Sequence, residues 1–128
     1  MRLLRYFPLK LSDFKPVITL ECNKKRITYF DKDTEIGYIE YKRDIGKICL
    51  FFITNERYRN RGLGTQILNN VIDDVKEYNT KRIWLVTNKT PHPFWERNGF
   101  TYTKCPDSSV TMHGYTRTLK IKGFSSKI

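Results

Sequence analysis

Arg59-Asn60-Arg61-Gly62-Leu63-Gly64-Thr65 is the stretch on which the reading of this chain turns. Before it stands Lys47-Ile48-Cys49-Leu50-Phe51-Phe52-Ile53-Thr54, a nearly unbroken apolar run that predicts a strand buried on both faces. After it, Leu63, Ile67, Leu68, Val71, Ile72, Val75 and Tyr78 recur at helical spacing, with Gln66, Asn69, Asn70, Asp73, Lys76 and Glu77 opposite. The segment therefore predicts strand, glycine turn, helix. The first N–H groups of a helix lack intrahelical partners, and the dipole makes that end partly positive. Gly62 and Gly64 carry no Cβ to hold a ligand off the backbone, and Arg57, Arg59 and Arg61 stand beside them. The arrangement suits a phosphate-rich anion such as a pyrophosphate. For an isolated R-x-x-G-x-G, a turn with solvated arginines is the better reading. No Gly-Lys-Ser/Thr follows, so this is not a Walker loop.

The continuation separates these readings. Arg82-Ile83-Trp84-Leu85-Val86-Thr87 is a second apolar strand, closing a β-α-β unit with a right-handed crossover. Next comes Asn88-Lys89-Thr90-Pro91-His92-Pro93-Phe94-Trp95-Glu96-Arg97-Asn98-Gly99-Phe100. Here the chain resembles the GNAT superfamily of acetyl-CoA-dependent N-acetyltransferases. That family shows R/Q-x-x-G-x-G/A after a strand, then N-x-x-A-x-x-F-Y-E-K-x-G-F after the next. Asn88, Phe94, Glu96, Gly99 and Phe100 fall in register, with Arg97 for the lysine. The resemblance covers residues 47–128 well and the earlier part poorly. It implies an α/β (α+β) fold with a mixed, mostly antiparallel central sheet and a β-α-β acetyl-CoA-binding unit.

It also implies site residues. The pyrophosphate would lie on Arg59, Asn60, Arg61, Gly62, Leu63, Gly64 and Thr65. The two strands of the β-α-β unit would splay, and backbone groups of Phe52, Ile53 and Thr54 would hold the pantetheine arm, one N–H facing the thioester oxygen. Asn88 matches the position whose side chain commonly binds that arm. The family tyrosine that protonates the departing thiolate is Trp95 here. Indole is no acid, so Trp95 packs on the cofactor or offers its N–H to the sulfur. The position of the histone-type glutamate falls on Ile48, which leaves Glu40 and His92 as candidate bases. Each has a plainer reading, Glu40 as a solvated strand residue and His92 as a loop residue between prolines. A water-relayed proton serves if binding supplies the positioning.

Composition bounds the rest. A chain of 128 residues makes one domain, 1–128, with a single core. No apolar stretch reaches the length that spans a bilayer, and the N-terminus is broken by charge and proline too early for a secretory signal. Cys22, Cys49 and Cys105 are scattered without metal-ligand spacing, so they read as reduced thiols in a cytoplasmic compartment, with no metal. Cys49 reads as a small hydrophobe. The net charge of +11 favours polyanionic partners. Lys24-Lys25-Arg26, Lys120, Lys122 and Lys127 lie outside the anion loop and read first as solvated surface, with nucleic acid as the alternative. Absent alanine and abundant Lys, Asn and Ile also fit an AT-rich genome.

From the start, 2–7 predicts a first strand, 10–16 a turn or one helical turn, and 17–21, 26–30 and 35–42 a meander turning at 23–25, 31–34 and 43–46. After Phe100, 101–104 reads as a strand, 105–109 as a turn, 110–121 as a long strand with a bulge at Gly114, and 123–128 as a frayed tail. GNAT proteins usually place two helices between the first two strands, where they wall the acceptor site. Residues 9–25 hold no long amphipathic pattern, so the N-terminal helices are reduced and the acceptor side is open. An open cleft suits an amine on a macromolecule, either a protein or an aminoacyl-RNA-like acceptor. A small amine stays open as well, and a polyamine is disfavoured by charge unless Asp31, Asp33, Glu35 and Glu40 form an acidic pocket. Two rivals remain: a GNAT-fold binding module without turnover, and a plain basic nucleic-acid-binding domain.

Overall fold

The computed structural model describes residues 7–87, 92–104 and 113–119. Its strands are β1 (Lys15–Glu21), β2 (Lys24–Asp31), β3 (Thr34–Lys42), β4 (Lys47–Phe52), β5 (Arg82–Thr87), β6 (Thr101–Lys104) and β7 (His113–Thr118). The helices are α1 (Leu63–Lys76) and α2 (Pro93–Arg97). One seven-stranded sheet runs β1-β2-β3-β4-β5-β7-β6, antiparallel everywhere except between β4 and β5. Short turns explain the meander. The β1–β2 hairpin turns at Cys22 and Asn23, with Cys22 at φ 55°, one residue earlier than the sequence suggests.

Both helices pack on one face. Leu63, Ile67, Leu68, Val71, Ile72 and Val75 of α1 are buried against Ile27, Tyr29, Ile39, Tyr41, Ile48, Ile83 and Leu85 of the sheet. The expected helix is present, but it ends at Lys76, and Tyr78 is exposed beyond it. Asp74 pins α1 to the meander: Tyr41 O–H donates to its carboxylate at 2.6 Å and Lys25 Nζ stands at 3.3 Å. Arg43 Nη1 lies 3.9 Å from the same group.

The opposite face carries no helix among the described residues. Among the described residues the segment before β1 holds only a 3-10 turn, Leu11–Asp13, and β1 runs straight into β2, in line with the expected reduction of the N-terminal helices. This corrects the expectation for β4. A bulge between Glu40 and Tyr41 sets Ile48 toward α1 and Leu50 and Phe52 to the other side. Leu50 is 40% exposed and Phe52 55%, so the apolar run is buried on one face only.

Gly114 marks no bulge, since β7 keeps continuous register with both neighbours across it. A first strand over 2–7 falls largely outside the described residues, as do the turn at 105–109, the ends of the strand expected over 110–121 and the tail at 123–128. Cys22 and Cys49 are free thiols. Among the described residues no cluster of His, Cys, Asp or Glu could hold a metal, and no helix is long and apolar enough to cross a membrane.

Candidate functional site

The site begins where the sheet comes apart. At the start of β4 and β5 the strands are held close. Trp84 N–H donates to Gly46 C=O at 2.9 Å, and Lys47 pairs with Trp84. Gly46 sits at φ +72°, and a Cβ there would collide with the Arg82 carbonyl oxygen, so the close approach requires glycine. Lys47–Trp84 is the single register pair recorded between these strands. Beyond it β5 stays with β7 over six pairs while β4 stays with β3, and the two halves of the sheet diverge. Successive strand residues point to opposite faces. Phe51 and Phe52 nevertheless both line the resulting cleft, of about 790 Å³, so the gap passes through the sheet.

One end of the cleft is the start of α1. Gly62 is the N-cap, at φ 86° and ψ −1°, a left-handed conformation that an L side chain resists. No side chain caps the helix, and its first turn holds no acidic residue. The first N–H groups, those of Leu63, Gly64 and Thr65, therefore remain to meet an anion. A Cβ on Gly62 would have only Gln66 Nε2 near it, at 3.8 Å, so bare backbone faces open space. Gly64 serves a second purpose beyond the one its spacing suggests. A Cβ there would lie 2.9 Å from Phe94 Cε1, so this glycine lets the α2 ring pack against α1.

The loop before α1 is braced by its own arginines. Arg59 Nε–H donates to Ile53 C=O at 2.9 Å, and Arg61 Nε–H to Phe7 C=O at 2.9 Å. The Ile53 carbonyl is thus already engaged. Asn55 accepts from Arg57 N–H at 3.1 Å and starts the short turn that carries Tyr58 into the cleft. Tyr58 O–H donates to Asp31 Oδ2 at 2.6 Å. That hydrogen bond, with burial and the Asp31 charge adding to it, raises the phenol above its ordinary pKa of 10.0.

The far wall is α2, to which the sequence reading assigned no element, taking only His92 as a loop residue between prolines. Pro93 occupies the first turn, where its missing N–H costs nothing, and His92 is the N-cap. His92 Nδ1 accepts from Phe94 N–H at 3.1 Å, and its own backbone N–H donates to Tyr115 Oη at 3.1 Å. With Nδ1 so used, the neutral ring carries its proton on Nε2 and presents a donor to the cleft. Trp95 is half-buried, its ring centroid 5.9 Å from Phe51, 5.0 Å from Phe94 and 5.2 Å from Phe100. Its indole N–H has no hydrogen-bond partner among the described residues, and its surroundings are those of a packing residue.

Of the residues singled out from the sequence, Phe52, Ile53, Arg59, Asn60, Gly62, Leu63, Gly64, Thr65, His92 and Trp95 line one cleft. Arg61 turns back toward Phe7, and Thr54 gives its hydroxyl to Glu35 at 3.1 Å, so neither lines it. Glu40 lies elsewhere, on the helix-free face, 3.3 Å from Lys24 and 3.9 Å from Arg26. Asn88 falls outside the described residues. The cleft adds Phe51, Tyr58, Phe94 and Arg97, which sequence reading missed. Apolar wall residues look like core until the splay is seen. A second groove, of about 730 Å³, separates α1 from β1, but its Lys25 and Asp74 are spent on each other.

The family profile described as "Acetyltransferase (GNAT) domain" matches residues 9–118. The chain belongs to the GNAT acetyltransferases. Its sheet order, splay and glycine-led helix are those the resemblance leads one to expect. No curated protein matches the sequence. Among solved structures, a GNAT-family acetyltransferase from Staphylococcus aureus is similar at 25% identity, over 76% of this chain and 69% of that one, with a TM-score of 0.63. An acetyltransferase from Thermus thermophilus is similar at 23% identity, over 78% and 67%, with a TM-score of 0.61. The PaiA N-acetyltransferase of Thermoplasma acidophilum, solved with coenzyme A, is similar at 17% identity, over 76% and 62%, with a TM-score of 0.60. The two weaker identities speak to the fold.

Proposed function

We propose that this GNAT protein transfers an acetyl group from acetyl-CoA to a primary amine on a macromolecule. The observation that carries the reading is a cleft that passes through the sheet and ends at an uncapped helix N-terminus. Leu63, Gly64 and Thr65 N–H would take the pyrophosphate, with Arg59 and Asn60 beside it. The ladder groups that β4 no longer shares with β5 would take the pantetheine arm, and Asn88 is proposed for the same task. The thioester supplies the activated acetyl group. The residues of this chain bind it, orient it and keep water from its apolar side with Phe51, Phe94 and Trp95.

Proton transfer has no dedicated side chain in this reading. Glu40 is ion-paired outside the cleft, and His92 presents a donor where a base is needed. Tyr58 keeps its proton, donating its hydroxyl hydrogen bond to Asp31. The amine must then arrive neutral or lose its proton to water, and turnover rises with pH as the acceptor deprotonates. The bare face beside the cleft favours an amine displayed on a large molecule over an enclosed small one. The packed Trp95 ring and the absent base support one other reading, a GNAT-fold module that binds acetyl-CoA without turnover.

Thiol release measured with acetyl-CoA and a panel of peptide N-terminal amines, lysine side chains, aminoacyl-RNA and small amines distinguishes the two. Release with at least one macromolecular amine is expected. Tight acetyl-CoA binding with no release from any acceptor at any pH would sink the enzyme reading.

A further inference from the structure

The helix-free face of the sheet carries a charge row that the cleft does not use and an aromatic pair of which only Phe52 borders the cleft. The first is a row of like charges. Lys24 pairs directly with Lys42, and Lys42 directly with Lys47, on three adjacent strands. Residues in direct cross-strand opposition sit about 5 Å apart, and like charges there destabilise a sheet. Glu40 relieves Lys24, at 3.3 Å, and Lys47 Nζ lies 5.3 Å from the Trp84 ring centroid. Lys42, the middle member, is exposed and has no ion pair among the described residues.

The second is an aromatic pair, Phe52 exposed and Tyr38 half-buried. Four residues along β2 and β3 from the lysines, and five along β4 because of its bulge, a parallel row pairs Thr28, Tyr38 and Phe52. Tyr38 and Phe52 are 5.8 Å apart between centroids and tilted by 48°, and Phe52 is 55% exposed. Arg26 lies over Tyr38 at 4.2 Å. On this face Lys15, Arg26 and Arg82 add to the lysine row, against Glu21, Glu35 and Glu40.

A second copy of this chain would bring the same charges face to face, so self-association is opposed. A polyanion relieves the row. Among polyanions, one with flat apolar units at intervals also fits the rings, because phosphates track cations while bases stack on aromatics. Duplexes bury those base faces and anionic lipids lack them. The geometry points to single-stranded RNA as the occupant of the helix-free face, its phosphates on Lys24, Lys42 and Lys47 and its bases on Tyr38 and Phe52. RNA is preferred to DNA because an aminoacylated RNA end also carries the aliphatic amine that the adjoining cleft requires. That preference rests on the proposed acetyl transfer; the binding itself does not.

The test is fluorescence anisotropy of a labelled, unstructured RNA with the full chain, without acetyl-CoA, across a salt series. Each phosphate neutralised contributes about −0.7 to the slope of log affinity against log salt for single strands. The Lys24→Gln, Lys42→Gln, Lys47→Gln triple variant should reduce the slope by about 2, and Phe52→Ala should weaken binding about 5- to 100-fold. Lys42→Gln alone should melt no lower than the parent, since it removes like-charge opposition, which separates lost binding from lost folding. Three outcomes overturn the inference: no RNA binding by the parent, a slope unchanged in the triple variant, or tighter binding to duplex RNA, single-stranded DNA or phosphatidylglycerol vesicles. Because no turnover is read, failure of acetyl transfer leaves this result standing, and the reverse holds too.

Discussion

Gly62 offers the sharpest test of the proposed pyrophosphate seat, provided that backbone strain and lost access are separated. Its φ of 86° costs an ordinary L residue about 1–2 kcal/mol, and a β-branched one more. Steric crowding adds little, since a new Cβ meets only Gln66 Nε2 at 3.8 Å. Gly62→Val therefore confounds the two effects, whereas Gly62→Asn does not, because asparagine tolerates the left-handed region. The Asn variant should melt close to the parent while placing a side chain where a phosphate needs bare N–H groups. Losing one or two hydrogen bonds to a charged group costs about 1.5–3 kcal/mol each, or roughly 10- to 150-fold in affinity for the first. Calorimetry with acetyl-CoA should show that loss. Acetyl-pantetheine, which lacks the pyrophosphate, should bind parent and variant alike. If Gly62→Asn binds acetyl-CoA as tightly as the parent, the anion does not sit at α1 and the reasoning fails.

Three further outcomes follow from the same structure. Trp95→Tyr should keep acetyl-CoA affinity within a few-fold and raise turnover, while Trp95→Ala should weaken binding by removing the ring between Phe51 and Phe100; an Ala variant that binds normally would show the indole is idle. Asp74→Ala strips the partner from Tyr41, Lys25 and Arg43 together and should cost about 3 kcal/mol, lowering Tm by roughly 10 °C; a shift of a degree or two would contradict the network. Burial chiefly raises the pKa of Tyr29 and Tyr41, and the Asp31 hydrogen bond chiefly raises that of Tyr58. Native protein holds these protons more tightly than unfolded chain. The associated stability is complete below pH 10 and is lost as pH rises further, so ultraviolet titration should show these phenols ionising above the ordinary tyrosine range.

Where local pattern alone decides, the sequence reads well. The seven-position apolar periodicity of 63–78 gives α1 to within two residues, and Arg82–Thr87 and Thr101–Lys104 appear as expected. The β4 run misleads because Leu50-Phe51-Phe52 is equally apolar whether or not a helix covers the second face. The physical fact that decides lies elsewhere in the chain, where the described residues before β4 form no helix over that face. The cleft follows the same logic. Its anion end is legible, since glycines and arginines are chemically explicit at Arg59–Gly64. Its walls are not, because Phe51, Phe94 and Tyr58 become site residues only through the divergence of two strands. Gly64 shows what a motif leaves out: the glycine also makes room for a neighbouring ring, which no spacing argument reveals.

The single recorded backbone pair between β4 and β5 bears on how the protein moves as well as on what it binds. On one side, β1 to β4 form a hairpin meander; on the other, β5, β7, β6 and α2 form a compact flap. Across most of the boundary, α1 and the aromatic contacts of Trp95 and Phe94 with Phe51 join what ladder bonds elsewhere would join. Such a seam lets the two parts open as separate cooperative units. Amide hydrogen exchange in β5 and β7 should then run ahead of that in β2 and β3. A molecule lying along the gap would substitute for the absent rungs, and saturation with it should bring the two halves to a common, slower rate.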